Sequence, residues 1–554
     1  MQPLARQSRI SILSWWSDHN PGLQNPATIN IHAASKPLAR WMYYRQAVEV
    51  IRKSRSNPLS TETLEIYSSY FPWNFVSWST KAAILSELAD RTASEVDARA
   101  VLDSPIYPYI AQMLRSSDTR TRSASCRLLG TLASHDSTAL AILESNHCEW
   151  LVFLMCDKDS GVAWEVMYAL AQIANRADGA QAIVETDAKV LDRALELLNS
   201  PSRNVRQWTG ALLEALVRHE PTTAAILELN PCERLVSLMR DANPGVTREV
   251  MCALSLIARD VQGIVEPDAK VLNRVLELLN SPSSDVRECA CKLVGRLAMH
   301  EAIALAILEL RPCAQLVLLL RDMSLGVVAQ AAYALSEIAQ WLPQAILDAK
   351  ALDHVIALLD SPSTKIQEWT CKLLGNLLWH EWTVLAILDL KPCEQLVSLM
   401  HAKHSPDVIS RATCTLAEMV KREDGAHAAV NAKALDNVAE LLVSSNLNVR
   451  KWTCVLLGRL AGHESTAPAI MELESDVYVR LVVLLREPTI RPSAIFALGA
   501  ISEWSYGVAA LHAMGVVEEL QKITRLSDAQ SRVRIRPILG SLARHKSCLS
   551  GRHV

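Results

Sequence analysis

An internal repeat constrains the fold of this chain more than any other feature. A histidine followed by an acidic residue recurs at steps of 84, 81, 80 and 83 residues, at His135, His219, His300, His380 and His463. The tripeptide SPS keeps the same period, beginning at Ser200, Ser281 and Ser361. Each period consists of two similar halves, so the structural unit has about 40 residues, which is within the range of repeat architectures.

Three helices are predicted within each unit. A short segment containing AIL is the first, and LDRALELL (191–198) is the second, with its leucines on one face. The Asn-Ser-Pro-Ser sequence at 199–202 ends the second helix, because proline cannot continue a helix and serine can cap the next one. VRQWTGALLEALV (205–217) is predicted as a long third helix whose apolar face is formed by Val205, Thr209, Leu212, Leu213 and Leu216. No single unit can bury these faces, so neighbouring units must stack into an all-α solenoid.

Three helices in every unit of about 40 residues resemble the armadillo repeat. The resemblance implies a right-handed α-solenoid of about eleven units. Four segments are expected: 1–61, a basic and aromatic arm that is partly helical; 62–105, a degenerate N-capping repeat; 106–549, the array; and 550–554, a tail. The internal duplication is similar to that of fungal armadillo proteins, and the repeat number resembles that of fungal vacuolar armadillo adaptors.

Composition and charge exclude several classes of protein. Apolar residues make up 50% of the chain and charged residues 21%, a balance typical of folded proteins. Because the chain carries −3 overall while 1–60 carry +6 and 521–554 carry +7, the body between them carries −16. An acidic body is a poor footprint for nucleic acid. No apolar run reaches about 18 residues, so no transmembrane helix is expected, and Gln2 excludes N-myristoylation.

The 13 cysteines indicate a reducing compartment. Eight of them fall at two repeated positions: Cys148, Cys232, Cys313 and Cys393, and Cys126, Cys291, Cys371 and Cys454. The sequence has no CxxC, so the thiols are predicted to be reduced, mostly buried and free of metal. This pattern favours the cytoplasm, with the nucleus as the alternative.

The resemblance also implies a candidate binding face. In armadillo proteins the third helices line a concave groove that binds extended peptides, and nuclear-import adaptors place a tryptophan four residues before an asparagine there. Asn376 aligns with that asparagine, but Lys372 stands at the tryptophan position, and Tyr168 with Gln172 is the nearest other pair. A second aromatic series stands one turn earlier. The candidate groove residues are therefore Trp164, Tyr168, Gln172, Trp208, Lys292, Arg296, Tyr333, Glu337, Trp369, Lys372, Asn376, Trp452 and Arg459.

Two interpretations of these candidates stay open. The tryptophans either face a bound peptide or pack as core between adjacent third helices. The basic candidates would favour acidic or phosphorylated peptides in places, whereas Glu337 and Glu418 would favour basic ones. The arginine after the valine of the third helix is predicted to be a first-turn surface residue or a hydrogen-bond donor between units, at Arg122, Arg206, Arg287 and Arg450.

The sequence contains no motif for catalysis in a suitable context. The five His–acid pairs belong to different units, so they cannot share one metal. We interpret each pair as the end of a third helix and the start of the next first helix, where histidine and acid complement the helix dipoles. At the other end of the chain, a helix over 37–53 is predicted to cap the first unit, with Trp41, Tyr44, Val48 and Ile51 inward.

The predicted function is a non-enzymatic protein-interaction scaffold that binds an extended peptide or a partner helix in the groove, without cofactor or metal. The alternatives are an importin-α-like adaptor that carries nuclear-transport cargo and, of another class, an enzyme that uses a His–Glu pair. Other proteins are the expected partners. The sequence leaves the oligomeric state open.

Overall fold

The computed structural model describes residues 36–55, 58–74, 76–145, 147–187, 189–258, 269–401, 403–526 and 529–550. These residues form helices and their connections, with no β-strand among them. The chain divides into two compact units, Met1–Val265 and Glu266–Val554. Residues 1–35 of the predicted arm and 551–554 of the predicted tail lie outside the described residues, and the predicted boundaries at 61, 105 and 549 stay predictions.

Fifteen of the described helices belong to the first unit. They are α1 (Lys36–Ser54), α2 (Thr61–Ser68), α3 (Trp78–Arg91), α4 (Glu95–Leu102), α5 (Tyr107–Leu114), α6 (Thr119–Ala133), α7 (Asp136–Glu144), α8 (His147–Leu154), α9 (Ser160–Ala174), α10 (Ala177–Thr186), α11 (Val190–Leu197), α12 (Arg203–Val217), α13 (Glu220–Glu228), α14 (Cys232–Leu238) and α15 (Pro244–Ile257).

Twenty of the described helices belong to the second unit. They are α16 (Ala269–Leu278), α17 (Ser284–Ala298), α18 (Glu301–Glu309), α19 (Cys313–Leu319), α20 (Leu325–Ile338), α21 (Pro343–Asp348), α22 (Leu352–Ala357), α23 (Thr364–Leu377), α24 (Glu381–Asp389), α25 (Cys393–Leu399), α26 (Pro406–Met419), α27 (Glu423–Asn431), α28 (Val438–Leu441), α29 (Leu447–Ala461), α30 (Ala467–Met471), α31 (Ser475–Leu484), α32 (Arg491–Ile501), α33 (Ser505–Ala513), α34 (Val516–Leu526) and α35 (Ala529–Ser550). A 3₁₀ turn at Leu358–Asp360 extends α22.

The long third helices form one row in each unit, which we call the third-helix row. In the first unit each member packs against the next in the order α3, α6, α9, α12 and α15. In the second unit the same neighbour-to-neighbour packing runs through α17, α20, α23, α26, α29, α32 and α35. The predicted all-α solenoid is confirmed, because stacked helical repeats make up both compact units of the chain.

Helix α12 shows why these helices stack. Its predicted apolar face is at most 1% exposed at each of its five positions, Val205, Thr209, Leu212, Leu213 and Leu216. Burying one leucine side chain contributes about 2 kcal/mol, so each third helix depends on its neighbours for its stability. No described helix is both long and apolar enough to cross a membrane.

The arginine that follows the valine of alternate third helices links one 40-residue repeat to the next within each compact unit. Arg206 Nε donates to Asp241 Oδ2 at 2.7 Å, and its Nη1 donates to the Ser200 carbonyl at 2.8 Å. Arg287 pairs in the same way with Asp322 at 2.8 Å. The partners of the other two are Asp157 for Arg122 and Glu487 for Arg450. The prediction of a hydrogen-bond donor between units is confirmed.

The predicted helix over 37–53 forms, as α1, and Ile51 is inward as predicted, but the inward orientation of Trp41, Tyr44 and Val48 was predicted wrongly. Trp41 is 53% exposed, and Tyr44 and Val48 are also exposed, whereas Ala47 and Ile51 are buried. The Arg45 guanidinium lies 4.9 Å from the Trp41 ring centroid. Helix α1 packs on α3, and its buried face contains Ala47 and Ile51, so Trp41, Tyr44 and Val48 lie on the exposed side.

A left-handed residue ends several first helices. Positive φ angles between 48° and 64° occur at Asn230, Arg311, Lys350, Lys391 and Lys433. Such a residue turns the chain at the C-terminus of a helix, a position where glycine is commoner. Proline or alanine follows each of them, so this turn is a regular part of the unit.

Candidate peptide-binding face

The aromatic candidates of the first unit lie on the third-helix row. Trp164, Tyr168 and Gln172 on α9 and Trp208 on α12 are all half-buried. The rings of Tyr168 and Trp208 are 4.8 Å apart between centroids at 71°, a T-shaped contact that contributes about 1 kcal/mol. Gly130 makes room for Tyr168, since a Cβ at that position would lie 2.6 Å from the tyrosine Cε1.

The second unit repeats this arrangement. Tyr333 on α20 and Trp369 on α23 have ring centroids 4.7 Å apart, and a Cβ on Gly295 would lie 2.5 Å from Tyr333 Cε1. Trp369 also packs against the buried cluster of Val328 and Ile366. We call the two pairs, Tyr168–Trp208 and Tyr333–Trp369, the aromatic rungs. Each tryptophan is thus partly core between third helices and partly exposed, so the two interpretations of the tryptophan series both hold in part.

The charged candidates of the second unit neutralise one another. Lys372 Nζ lies 2.5 Å from Glu337 Oε1, and the Glu337 side chain is 4% exposed. Gln340 Nε2 donates to the other Glu337 oxygen at 2.6 Å. A peptide group that binds Lys372 must therefore compete with an ion pair already inside the row.

Asn376 is buried rather than open. It is 8% exposed, and its Nδ2 donates to the Ser336 carbonyl at 2.8 Å. Its amide nitrogen therefore caps the neighbouring third helix instead of facing solvent. A peptide-clamping role for Asn376 stays a prediction.

Arg459 and Trp452 occupy the later part of the second unit's row. Arg459 Nη1 donates to the Ala417 carbonyl at 2.6 Å and lies 3.0 Å from Glu418. Trp452 is half-buried, and Lys451 Nζ lies 5.5 Å from its ring centroid. Lys421 adds a second cation at 2.5 Å from Glu418. Two cations therefore already pair with Glu418 within the unit.

Arg296 and Lys292 are the remaining candidates, both half-buried on α17. The Arg296 guanidinium lies 5.8 Å from the Tyr333 ring centroid and donates to Met299 Sδ at 3.8 Å. Lys372 Nζ approaches the same tyrosine ring at 5.9 Å. Tyr333 is thus flanked by two cations, each contributing about 0.5–1 kcal/mol at a partly exposed site.

Three histidines of the His–acid pairs form a hydrogen bond to the preceding unit. His219 Nε2 lies 3.0 Å from the carbonyl of Ala174, the last residue of the preceding third helix. His135 and His463 make the same bond to the Thr92 and Val420 carbonyls, each at 2.7 Å. A carbonyl only accepts, so Nε2 carries the proton. Tryptophan takes this place in other units: Trp341 and Trp504 donate to the equivalent carbonyls.

The acids of these pairs begin the next helix, as predicted, in four of five copies: α7, α13, α18 and α24. The fifth copy differs, since α30 begins at Ala467, three residues after Glu464. The histidine was expected to complement the end of its own helix, but in three copies it bonds the helix of the preceding unit. Among the described residues, no group of three or more His, Cys, Asp or Glu could hold a metal ion.

Replacing His219 with alanine is expected to lower the free energy of unfolding by about 1 kcal/mol, because the Ala174 carbonyl loses its donor. Urea denaturation followed by circular dichroism measures this loss. Trp504→Phe is the companion variant, since it keeps one aromatic ring and removes the rest of the indole, including the N–H whose nitrogen lies 2.6 Å from the Ala461 carbonyl oxygen. Wild-type unfolding midpoints for both variants would contradict this structural role.

The cysteines are mostly buried, as predicted. Of the twelve whose side chains the structure describes, all are free thiols and Cys156 alone is exposed. Burial raises the pKa of Cys148 to about 11 and that of Cys454 to about 12. Thiols with such pKa values are poor nucleophiles at neutral pH.

A pocket that the sequence analysis missed lies in the first unit. It has a volume of about 380 Å³ and is lined by side chains of α1, α3, α6 and α9, among them Arg120, Arg127 and Glu165. The pattern that could have revealed the pocket is RTRSASCR (120–127), which places two arginines and small residues on one helical face.

Comparisons with known proteins agree with a helical repeat. The HEAT repeat model matches residues 271–300, which span α16 and α17. No curated protein matches the chain. Among solved structures, an engineered protein from the Northeast Structural Genomics Consortium is 27% identical with a TM-score of 0.58, covering 71% of this chain and 97% of its own. A second engineered protein from that consortium is 28% identical over 42% of this chain, with a TM-score of 0.39.

The HEAT match and the first engineered structure agree with the helical repeat solenoid seen in the packing of the third helices. Such a fold typically serves as a protein-interaction scaffold and is typically non-enzymatic.

Proposed function

We propose that this chain is a non-enzymatic adaptor whose third-helix row binds an extended peptide or a partner helix. The observation that carries the proposal is the pair of aromatic rungs, Tyr168–Trp208 and Tyr333–Trp369, in which Tyr168 and both tryptophans are half-buried on the row and Tyr333 is buried beneath Trp369. Rigid aromatic side chains supply contact area at a low cost in conformational entropy. Each rung therefore presents a preformed surface to a ligand.

The spacing of the row supports a peptide ligand. Packed helices lie about 8–10 Å apart, and an extended peptide advances about 3.3 Å per residue. One third helix thus meets about every third residue of such a peptide. The cations beside Tyr333 add positions where a carbonyl or a carboxylate of the peptide could be bound.

We further propose that the units are of the armadillo type. A first, second and long third helix recur within each unit of about 40 residues, whereas HEAT units have two helices. An experimental structure of the full chain tests this assignment. Three distinct helices per unit would support it, and two continuous helices per unit would overturn it.

The proposed partners are other proteins, met in the cytoplasm or the nucleus, where free thiols persist. Binding of a basic nuclear-localisation peptide is the alternative function, and Glu337 and Glu418 would be its acidic contacts. Both carboxylates already have cationic partners, which favours the general adaptor. Micromolar or tighter binding of such a peptide, lost on Trp164→Ala or Trp369→Ala, would support the alternative instead.

Replacing Trp208, Trp369 and Trp452 together with alanine is expected to abolish selection of peptides from a random 16-residue display library. Tryptophan is enriched among the interface residues whose truncation costs about 2 kcal/mol or more of binding. The measurement is the enrichment of peptides by wild type and by the triple variant, with circular dichroism to verify that both are folded.

The matched control removes tryptophans outside the row. Trp379 and Trp382 are 63% and 48% exposed, and Trp382 lies on the first helix α24. The double variant Trp379→Ala, Trp382→Ala is expected to select the same peptides as wild type. Equal enrichment by wild type and the triple variant would contradict a binding role for the third-helix row.

A further inference from the structure

The pocket of the first unit is built from three consecutive third helices. Ser79, Ala83 and Ser86 lie at i, i+4 and i+7 on α3, so they share one face of that helix. These side chains are small, which leaves the volume of about 380 Å³ open. Tyr44 of α1 also lines the pocket. The small residues therefore create space, and polar groups around them define what the space can hold.

Two arginines of α6 frame this space. Arg120 and Arg127 are seven residues apart, about 10 Å along the helix axis, and Ser123 lies between them on the same face. Arg120 is exposed and has no carboxylate within 4 Å among the described residues. Arg127 lies 2.6 Å from Asp90, but both side chains are about half exposed, so this ion pair is weak. Both guanidinium groups can therefore turn to a ligand at little cost.

Glu165 of α9 completes the lining. It is only 5% exposed, and its Oε2 has no hydrogen-bond partner among the described residues. A buried carboxyl oxygen without a partner is rare in folded proteins, and this one remains able to bond a ligand group. Burial raises the pKa of Glu165 to about 8, opposed by the charge of Arg127. At neutral pH the group is therefore mostly protonated and offers one O–H donor.

We propose that this pocket binds an oxyanion, a carboxylate or a phosphate on a side chain of the partner peptide. The proposal rests on the proposed function, because the anion is carried by a peptide lying on the third-helix row. The two guanidinium groups and the Ser123 hydroxyl donate to the oxyanion, as in other carboxylate and phosphate sites. The protonated Glu165 donates a further hydrogen bond, so its carboxyl assists the anion instead of repelling it.

A cationic ligand fits the same lining less well. A lysine or arginine side chain would face two guanidinium groups at close range, and like charges disfavour binding. To attract it, Glu165 would have to lose its proton inside a poorly solvated site, which costs free energy. The excess of donors over ionised acceptors therefore favours an acceptor ligand.

The test begins with peptides from a random 12-residue display library selected on the full-length protein. Selected peptides are synthesised with a fluorescent label, and their affinity is measured by anisotropy. Every acidic position is also replaced with glutamine, lysine and phosphoserine. We expect one acidic position at which glutamine weakens binding about tenfold and phosphoserine retains it, with the same loss in the variant Arg120→Gln, Arg127→Gln.

Two further variants decide the sign of the ligand charge. Glu165→Gln keeps a hydrogen-bond donor, so its peptide affinity is expected to stay within about threefold of wild type. If the pocket bound a cation, the same variant would lose affinity by at least about tenfold. Asp90→Asn removes the carboxylate that pairs with Arg127, so it is expected to increase the peptide affinity. If the pocket bound a cation, this variant would decrease the affinity. The proposal would be overturned if the peptide position that contributes most to binding were basic, or if replacing Arg120 and Arg127 left the affinity unchanged.

Failure of this inference can be told from failure of the proposed function. If selected peptides depend on the row tryptophans Trp208, Trp369 and Trp452 but not on Arg120 and Arg127, the oxyanion pocket is wrong and the adaptor function stands. If no peptide is enriched by wild type, both are wrong. Inorganic phosphate serves as a competitor and is expected to displace phosphoserine peptides and glutamate peptides alike.

Discussion

Replacing Gly425 with alanine is expected to lower the free energy of unfolding of the second unit by about 3 kcal/mol. Gly425 lies in the first turn of α27, directly over the end of α26. A Cβ there would lie far inside van der Waals contact with the carbonyl oxygen of Met419. Backbone cannot move aside as a flexible side chain can, so the two helices must separate, and such overpacking costs about 1–3 kcal/mol or more.

Gly540 offers a matched control in the same unit. It also lies within a helix, but a Cβ at this position would have no atom within 4 Å. Gly540→Ala is therefore expected to stabilise by about 0.5–1 kcal/mol through helix propensity alone. Urea unfolding followed by circular dichroism compares the two variants. Equal midpoints for Gly425→Ala and wild type would show that the first turn of α27 is free to shift.

The second large effect is expected for Arg206→Ala, which should destabilise the first unit by about 2–3 kcal/mol at pH 7. The side chains of Arg206 and Asp241 are 19% and 6% exposed, so removal of the guanidinium leaves a buried carboxylate without its cation. The Ser200 carbonyl loses its donor as well. Chemical denaturation of wild type and variant measures the difference.

The stability lost on Arg206→Ala should also depend on pH. Burial alone would raise the pKa of Asp241, but the hydrogen bonds from Arg206 and the Asn243 amide and the charge of Arg206 hold it below its ordinary value of 3.8. The stabilisation is therefore complete above that value and is lost as pH falls through the lower pKa of the folded state. The difference between wild type and Arg206→Ala should be constant from pH 7 to about 5 and shrink below about pH 4.

The control for Arg206 is an exposed ion pair. Arg99 and Asp103 are 57% and 63% exposed and lie 3.3 Å apart. Arg99→Ala is expected to change the stability by at most about 0.5 kcal/mol, because exposed pairs contribute little. A loss as large as that of Arg206→Ala would mean that burial does not distinguish these two arginines.

The sequence was sufficient for the helices and for their stacking. The leucines of 191–198 and the apolar face of 205–217 repeat at helical spacing, and both segments form the predicted helices within about two residues. The arginine series was also recognised, because a charged residue that recurs at the first turn of alternate third helices must serve the repeat itself. These features depend on short stretches of chain.

Contacts between units could not be predicted in detail. Lys372 and Glu337 were interpreted as separate charges for opposite kinds of peptide, but they are 35 residues apart and pair with each other. His219 bonds a carbonyl 45 residues earlier. Which of these groups meet depends on the register in which neighbouring helices pack, and the period of the repeat does not specify that register.

The orientation of helix α1 could not be predicted from the sequence either. The periodicity predicted Trp41 inward, yet the structure buries Ala47 and leaves Trp41 exposed. An aromatic residue at helical spacing is compatible with either face. The shape of the neighbouring helix decides, and only the packed structure contains that shape.

The sequence by itself thus determined that this chain is a helical repeat, because an apolar face at helical spacing requires a neighbour and the period supplies an identical one. Only the tertiary structure decided which side chains stay available for a partner. It paired Lys372 with Glu337, buried Asn376, and brought Arg120, Arg127 and Glu165 together from adjacent helices. The physical reason is that burial and ion pairing are properties of the space between units, and residues about 40 positions apart share that space.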